Sequence, residues 1–483
     1  AAELGLTIDL DQPMTTLYNQ GGSLGASGTL SVNASTYETD SKSALVSTGV
    51  LPLSMAGALS NSGQLVGQKG FNLTVGSFTN EASGILAAVT GNGSLTTTGT
   101  GQLVNAGTIE TLQAGSTLEV RTASGGLSNT GAILGSGTAT IVSTGSVTNS
   151  GKISALGGAL TLQATGLTNT DTLAAKGLLT ALVSGDLTNS GTLYGATGGD
   201  ISATGTLANN GATAQIAADG ALSLKAGTLT NSNGQILASQ DGLTVAANSL
   251  TNSGGLLQGD TTTSIRADTL ANTAGGAILS KSGALTVGGQ SATAAQSVSN
   301  LTGTLQAATD LSVTANAIDN SGGTFNAQTG ALTASSGTGL FRNDDGIMQS
   351  ATGMTLSGDS FTGNMGSIVN AGTTLGMNFG SSLDTAGHIV ATQDLSVQTG
   401  ALTTHAGTTP ATVAVVASTG GNLTVKAGTI NNAGVLETTD ANGTLTVQGA
   451  DLTNSGTLTT ASTLSVAETG QLVSSGNLIS SKG

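Results

Sequence analysis

Hydrophobic and polar residues alternate along short segments of this chain. In the segment 158–164 (GALTLQA), the leucines at positions 160 and 162 point to one side and their neighbours to the other. This is the two-residue period of a β-strand, and the segment lacks the i, i+3, i+4 apolar stripe of a helix. Because a strand of three to five residues buries too little surface to be stable alone, the pattern predicts short strands that stack on one another.

One repeating unit organises these strands along the whole chain. A Leu-Thr-Asn-Ser-Gly sequence or a close variant is centred on Asn149, Asn169, Asn189 and Asn209, which are evenly spaced. Over the whole chain the step averages about 22 residues, and a constant period of this size is the sequence signature of a solenoid. The asparagines that mark the repeat are Asn61, Asn80, Asn105, Asn129, Asn149, Asn169, Asn189, Asn209, Asn231, Asn252, Asn272, Asn300, Asn320, Asn343, Asn432 and Asn454.

These asparagines are predicted to form a structural ladder. Amides stacked at strand spacing can hydrogen-bond to one another and to the backbone of the corner they occupy. A column of aspartates would instead be mutually repulsive. We favour this interpretation over a ligand site because a ligand rarely needs so many copies of one contact. The ladder is interrupted where Gly363, Thr385, Thr404 and Ser474 replace the asparagine.

The corner that contains the asparagine has its own expected conformation. Asparagine and glycine tolerate the left-handed backbone that a sharp turn needs. Leu187 and Leu193 flank such a corner, in which Asn189 and Gly191 are separated by one residue. The sequence therefore predicts a left-handed backbone at these corners.

The predicted fold is a single elongated, all-β, right-handed parallel β-helix (β-solenoid). Left-handed β-helices favour hexapeptide repeats, with about 18 residues per turn. Here the step is not constant, since Asn300 follows Asn272 at a clearly longer interval than Asn272 follows Asn252. Such variation suits a right-handed solenoid that tolerates insertions at its corners. With about 20–22 residues in each rung, meaning one turn of the solenoid, the chain would form roughly 22 rungs and a rod on the order of 100 Å long.

The regularity of the repeat divides the chain into four stretches. Residues 1–50 are less regular entry rungs, 51–330 are regular repeats, 331–430 are irregular, and 431–483 are regular again up to a truncated end. The irregular stretch and its border contain most of the phenylalanines and methionines, which indicate either an adaptable interaction patch or, as we favour, a locally wider core. These residues are Phe325, Phe341, Phe361, Phe379, Met348, Met354, Met365 and Met377.

Composition and charge exclude several classes of function. The net charge is −15, and the 11 lysines and arginines are scattered singly, so no basic cluster is available for nucleic acid. No apolar run approaches the 18 or so residues of a membrane-spanning helix. Because the chain has no cysteine, disulfides and thiolate metal sites are excluded.

The chain offers little chemistry for catalysis or for a cofactor. His388 and His405 are separated by slightly less than one repeat and could lie on adjacent rungs, but surface polar residues are the simpler interpretation. Some β-helices degrade polysaccharides with carboxylates gathered on one face, and four aspartates recur at steps close to one repeat, each beside a glycine as is typical of corners. We therefore predict no catalytic, cofactor or metal site and keep a polysaccharide-degrading β-helix as a remote alternative. The four aspartates are Asp200, Asp219, Asp241 and Asp260.

The repeat unit resembles a known bacterial family. The segments 187–193 (LTNSGTL) and 220–226 (GALSLKA) are similar to the hemagglutinin repeat of filamentous hemagglutinins and contact-dependent growth inhibition toxins. The resemblance covers nearly the whole chain and is strongest over 51–330 and 431–483. The motif is specific for this family because it recurs so often, whereas no single copy is diagnostic.

The resemblance implies a two-partner secretion exoprotein of a Gram-negative bacterium. Such a protein crosses the outer membrane through a dedicated transporter and is displayed on the cell surface. The expected role is a filament, or stalk, that projects a receptor-binding or toxin module, in either a contact-dependent inhibition toxin or a filamentous adhesin. The alternative is an adhesin whose own side face binds glycans of a host or neighbouring cell, and the expected partners are the secretion transporter and a receptor on such a cell.

Overall fold

The fold is all-β. We describe it from a computed structural model, in which residues 6–9, 15–26, 30–290, 294–409 and 412–482 are described. Within these ranges every regular element is a β-strand, and no helix is present. The chain divides into two units, which comprise residues 1–230 with 234–239 (unit 1) and residues 231–233 with 240–483 (unit 2).

Each rung contains three short strands that lie on three faces. In one rung of unit 1, Leu160–Ala164 is the first strand, Gly166–Asn169 the second and Thr172–Ala175 the third. Each strand pairs in parallel with the corresponding strand of the next rung, so that Asn169 lies beside Asn189. The parallel register places equivalent residues of successive repeats in columns.

Unit 1 repeats this arrangement from rung to rung. Its first strands are Leu6–Asp9, Leu30–Asn33, Leu51–Ser54, Phe71–Val75, Gly93–Thr97, Leu118–Thr122, Ala139–Ser143, Leu160–Ala164 and Leu178–Val183. Its second strands are Thr16–Asn19, Thr36–Thr39, Ala58–Asn61, Ser77–Asn80, Leu103–Asn105, Leu127–Asn129, Ser146–Asn149, Gly166–Asn169 and Leu187–Asn189. The strands Gly198–Asn209 and Leu222–Ser232 cover the first and second faces without a break, and residues 231 and 232 of the latter belong to unit 2. Its third strands are Ser23–Ala26, Ala44–Ser47, Gln64–Gly67, Ile85–Ala88, Thr108–Thr111, Ala132–Gly135, Lys152–Ala155, Thr172–Ala175, Thr192–Gly195, Gln215–Ala218 and Gln235–Ala238.

Unit 2 uses the same three faces. Continuous strands cover its first and second faces at Leu243–Ser253, Thr263–Thr273, Met354–Gly363, Leu375–Thr385, Leu395–Thr404, Leu423–Asn432 and Thr444–Asn454. Other rungs have separate strands on these faces, at Leu285–Gly288, Ser297–Ser299, Leu311–Thr314, Ile318–Asp319, Leu332–Ser335, Leu340–Arg342, Thr463–Glu468 and Leu472–Ser474. The third strands are Leu256–Gly259, Ala277–Ser280, Thr304–Ala307, Thr324–Ala327, Ile347–Ser350, Ile368–Ala371, His388–Ala391, Val415–Ser418, Val435–Thr438, Thr457–Thr460 and Asn477–Ser480.

The predicted all-β, parallel solenoid is confirmed. Each unit has eleven third strands among its described residues, which gives the 22 rungs expected from the repeat. The right-handed sense stays a prediction. The predicted and observed folds agree because the sequence shows both the period of two within each strand and the period of about 22 residues between rungs.

Columns of aliphatic side chains form the core of each unit. On the third face of unit 1, Ile133, Ile153, Leu173 and Leu193 are register partners and are fully buried. Their neighbours along the strand are partly or fully exposed, except Ser154, which is 2% exposed. Burial of each such side chain contributes about 1.5–3 kcal/mol, so a rung gains its stability by covering the rung before it.

At the corner that contains Asn189, the glycine serves close packing and not the left-handed backbone that we predicted, whereas Gly211 and Gly254 at equivalent corners have positive φ angles of 112° and 64°. Neither Asn189 nor Gly191 is among the residues with a positive φ angle, so that prediction is wrong at this corner. A Cβ atom added to Gly191 would lie 2.2 Å from the carbonyl oxygen of Asp171 in the preceding rung. Glycine is therefore needed because the backbones of successive corners approach closely.

The large apolar residues of the irregular stretch are core residues, with one exception. All four phenylalanines and Met348, Met354 and Met377 are buried, whereas Met365 is 59% exposed. The rings of Phe341, Phe361 and Phe379 form a cluster with centroid distances of 5.5–6.2 Å. Seven of these eight residues are thus core residues, as we favoured, and the greater width of the core in this stretch stays a prediction.

Candidate functional site

The predicted asparagines lie together in the interior of each unit. All sixteen are buried, with side chains at most 1% exposed. In unit 1 the Nδ2 atom of one asparagine donates to the Oδ1 atom of the asparagine one rung later at 2.7–2.8 Å. This continuous series contains Asn61, Asn80, Asn105, Asn129, Asn149, Asn169, Asn189 and Asn209.

The amides also bind the backbone of the corner. Asn189 Nδ2 donates to Asn209 Oδ1 at 2.8 Å, to the Gly191 carbonyl at 3.0 Å and to the Gln215 carbonyl at 3.1 Å. Its Oδ1 atom accepts from Asn169 Nδ2 at 2.8 Å. One asparagine therefore joins three rungs, because its donor and acceptor face opposite ways along the column.

Unit 2 contains two shorter series. The first runs through Asn231, Asn252, Asn272, Asn300, Asn320 and Asn343, with Nδ2–Oδ1 distances of 2.7–2.9 Å. The second joins Asn432 to Asn454 at 2.8 Å. Between them, Thr404 Oγ1 donates to Asn432 Oδ1, and Thr385 Oγ1 accepts from the Gly387 amide. Hydroxyl groups thus take over part of the amide's bonding where the asparagine is missing.

Ser367, which is not part of the repeated motif, replaces the missing asparagine side chain in the rung that contains Gly363. Asn343 Nδ2 donates to Ser367 Oγ at 2.8 Å. Ser367 occupies the position held by Gly346 one rung earlier, since both residues directly precede register partners, Ile347 and Ile368. A Cβ atom on Gly363 would lie 2.6 Å from Ser367 Oγ and 3.3 Å from the Phe361 ring. In this rung, Gly363 therefore stands at the position of the ladder asparagine, and Ser367 stands at the position of the corner glycine.

This exchange gives a prediction about restoring the repeat. Gly363→Asn alone should destabilise the surrounding rungs by about 1–3 kcal/mol, because the new side chain overlaps Ser367 and Phe361. The double variant Gly363→Asn with Ser367→Gly should recover most of that loss by rebuilding the ladder. Local hydrogen exchange at residues 343–371 would measure both. A double variant no better than the single one would show that the two positions are not coupled.

Ends of the ladder use other polar groups. Thr39 Oγ1 donates to Asn61 Oδ1 at 3.0 Å, and Asn454 Nδ2 donates to Ser474 Oγ at 3.1 Å. Asn19 Nδ2 donates to the Tyr37 hydroxyl at 3.4 Å, and burial raises the pKa of that hydroxyl while the Asn19 hydrogen bond lowers it. The net effect is a raised pKa, so the Tyr37 hydroxyl is a neutral partner at neutral pH.

The two histidines lie on different faces of unit 2. His388 is on a third strand, and His405 Nε2 lies 2.6 Å from Asp384 Oδ1 at an exposed corner. The His405 pair lines a cleft of about 410 Å³ together with Asp344 and Met365. Among the residues that the structure describes, no group of three or more histidines, aspartates or glutamates could hold a metal ion.

The aspartates with regular spacing do not form one column. Asp200 lies on the first face, in register with Thr180 and Ser223. Asp219 follows the third strand Gln215–Ala218, where the Tyr194 hydroxyl donates to it at 2.6 Å, and this hydrogen bond raises the pKa of Tyr194. Asp200 and Asp219 are therefore on different faces, and the geometry that a polysaccharide-degrading site would need is not formed by this pair.

Comparison with protein families identifies the repeat. A family model described as Haemagglutinin repeat matches residues 6–36, 25–109, 88–151, 155–211, 217–289, 286–340, 369–427 and 399–483. The chain belongs to the haemagglutinin-repeat family. Neither the search of curated proteins nor the search of solved structures gave a match. Haemagglutinin-repeat matches leave out residues 341–368, the stretch in which Gly363 and Ser367 replace the usual pair.

The regular elements described for this haemagglutinin-repeat protein are β-strands. Across the described ranges, no helix is present that is long and apolar enough to cross a membrane.

Proposed function

We propose that this chain is a stalk segment of a secreted bacterial surface exoprotein, which projects a receptor-binding or toxin module away from the cell. The observation that carries the proposal is the parallel register within each unit, where rung follows rung with the same core columns and, over most rungs, a buried asparagine series. A stack of this kind provides length and stiffness, since each rung supports the next.

Membership of the haemagglutinin-repeat family supports the remaining parts of the proposal. We assign the chain to the outer surface of a Gram-negative bacterium, with an outer-membrane two-partner secretion transporter as its secretion partner. Each completed rung buries several aliphatic side chains at about 1.5–3 kcal/mol apiece. If the chain leaves the transporter unfolded, the stacking of each new rung outside the cell would therefore favour its movement outward through the outer membrane. The proposal covers both branches, contact-dependent inhibition toxin and filamentous adhesin.

Electron microscopy of the purified chain tests the stalk proposal. We expect elongated particles, because stacked rungs at strand spacing extend in one direction. Compact globular particles would contradict the proposal.

A second candidate function rests on a column of hydroxyl groups. On the first face of unit 2, ten of eleven outward residues at one register position are serine or threonine, and only Gly376 interrupts them. Repeated neutral hydroxyls could bind a glycan, although the chain has no tryptophan to stack on sugar rings. These residues are Thr244, Ser264, Thr286, Ser312, Thr333, Thr355, Ser396, Thr424, Thr446 and Ser465.

A glycan array probed with the purified chain separates the two candidates. The stalk proposal predicts no retained glycan, since the module that binds would lie elsewhere. Glycan binding that is lost when Thr333 and Thr355 are changed to alanine would favour the hydroxyl face.

A further inference from the structure

The third face of unit 2 carries an outward column of aliphatic residues. Ile347, Ile368, His388, Val415 and Val435 are register partners on five successive third strands. Ile368 is 40% exposed, and the other four are partly exposed between their neighbours. We call this set of five residues the aliphatic column.

A second column lies beside it on the same strands. Gln349, Asn370, Val390, Ala417 and Glu437 are also register partners, each two residues after a member of the aliphatic column. Side chains two apart on a strand point to the same side. The two columns therefore lie on one side of the strands, where Ala417 is only 2% exposed, and we call the second set the flanking column.

The rung itself does not require aliphatic residues at this position. In unit 1 the equivalent outward column is mainly polar, as Lys152, Thr172, Thr192, Gln215 and Gln235 show. The four aliphatic side chains form an outward apolar strip that His388 interrupts, and apolar strips on protein surfaces can mark sites of interaction. The strip in unit 2 thus needs an explanation beyond the stability of the solenoid.

The order of residues along the aliphatic column is nearly the same in both directions. Two β-branched aliphatic residues stand on each side of the central His388. Because the order of residues is nearly the same in both directions, two copies of this surface can pair antiparallel with similar residues facing each other. A two-fold interface requires such pairing of one surface with itself. We propose that this face of unit 2 binds the same face of a second copy of the chain, with the two columns antiparallel and the two-fold axis at His388.

The antiparallel arrangement brings the aliphatic residues of the two copies together, while His388 would face its own copy and Asn370 would face Ala417. Ile347 would face Val435 of the second copy, Ile368 would face Val415, and Val390 would face its own copy. In the flanking column, the Gln349 amide would meet the Glu437 carboxylate, which it can bind as a donor.

A parallel arrangement matches poorly. It would bring the aliphatic column of one copy against the flanking column of the other, so that Val435 would cover Glu437. A buried carboxylate without a polar partner is strongly unfavourable. The charge of Glu437 therefore disfavours a parallel arrangement whose two-fold axis runs between the two columns.

Cross-linking of single-cysteine variants tests the arrangement directly, because the natural chain has no cysteine. Facing sheets lie about 10 Å apart, too far for a disulfide, so a short bismaleimide is the suitable reagent. A mixture of the Gln349→Cys and Glu437→Cys chains should cross-link into dimers, and Val390→Cys should cross-link to itself. Gln349→Cys alone should give no dimer above background. Dimers from Gln349→Cys alone, without dimers from the mixture, would overturn the proposal.

Sedimentation of the full chain tests the surface itself. At roughly 100 µM, where any dimer with a Kd well below that value is populated, we expect the natural chain to sediment as a dimer. Ile368→Lys should weaken the dimer at least about tenfold, since it buries a charge without a partner. Thr192→Lys, at the equivalent outward position of unit 1, should leave the dimer unchanged.

A gain-of-function variant guards against misfolding as the cause of any loss. His388→Leu replaces the central polar residue by an aliphatic one and should tighten the dimer several-fold. A monomeric natural chain, or a dimer that neither Ile368→Lys weakens nor His388→Leu strengthens, would overturn the proposal.

Discussion

Replacing Phe361 by alanine should lower the local stability of unit 2 by about 3–5 kcal/mol, the usual cost of emptying a phenylalanine site in a packed core. The Phe361 ring is fully buried, with its centroid 5.7 Å from that of Phe341 and 5.5 Å from that of Phe379. Tilted rings at these distances attract one another beyond the effect of their burial. Because three rungs meet in this cluster, the cavity would affect the rungs on both sides.

Phe361→Leu is the matched control. It keeps most of the buried volume and removes the ring contacts, so it should cost less than about 1.5 kcal/mol. Native-state hydrogen exchange at residues 340–385 is the suitable measurement, since a stack of rungs need not unfold in one step. A loss below about 1 kcal/mol for Phe361→Ala would mean that the cluster is loosely packed.

Asn189→Asp should destabilise the middle of unit 1 by roughly 3–5 kcal/mol at neutral pH, as expected when a buried charge lacks a partner. The Nδ2 atom that is lost donates to three oxygen atoms, those of Asn209 Oδ1 and the carbonyls of Gly191 and Gln215. A carboxylate oxygen at the same place would face these three acceptors with no hydrogen to offer.

The pH dependence of Asn189→Asp follows from the same geometry. Burial and nearby acceptors disfavour the charged carboxylate, so the introduced group should have a pKa above the usual value of about 3.9. Its protonated form is tolerated better because it can donate one hydrogen bond. The stability deficit should therefore be smallest below about pH 4 and should grow as the pH rises towards the raised pKa and through it.

Asn210→Asp is the matched control for charge. Asn210 follows the ladder residue Asn209 and is exposed, with its Nδ2 atom donating to Thr230 Oγ1. This variant adds the same charge at the surface and should change stability by less than about 0.5 kcal/mol. A deficit shared by Asn189→Asp and Asn210→Asp would indicate an effect of net charge and not of the ladder.

The sequence was sufficient to predict the fold because its signals are repeated. One copy of the segment around Leu160 and Leu162 is ambiguous, but its recurrence on rung after rung specifies both the strand and its neighbour. The identity of Asn189 as an inward residue follows from the same repetition, since it precedes a corner at a fixed distance from Leu187.

Local replacements were beyond sequence reasoning. Ser367 Oγ accepts a hydrogen bond from Asn343 Nδ2 in the rung where Gly363 stands in place of the asparagine. No short-range sequence pattern predicts this contact. Gly191 is required by a carbonyl from the rung before it, a neighbour that becomes known only once the rungs are stacked.

The alternation of apolar and polar residues also could not predict the outward aliphatic column. Ile347 and Met348 are adjacent and both apolar, so a period of two cannot decide which of them faces inward. Register with the neighbouring strands decides it, since Met348 pairs with the buried Phe325 and Val369. Ile347 is left on the surface.

We infer that the chain is a stack in which each rung depends mainly on its neighbours and on the asparagine that joins them. Hydrogen exchange of Asn189→Asp, compared residue by residue with the natural chain, tests it most directly. Faster exchange confined to the few rungs around residue 189, with no change near Asn454, is the result that we expect from nearest-neighbour stability. Uniform loss of protection along the chain, or no loss at any position, would contradict the account.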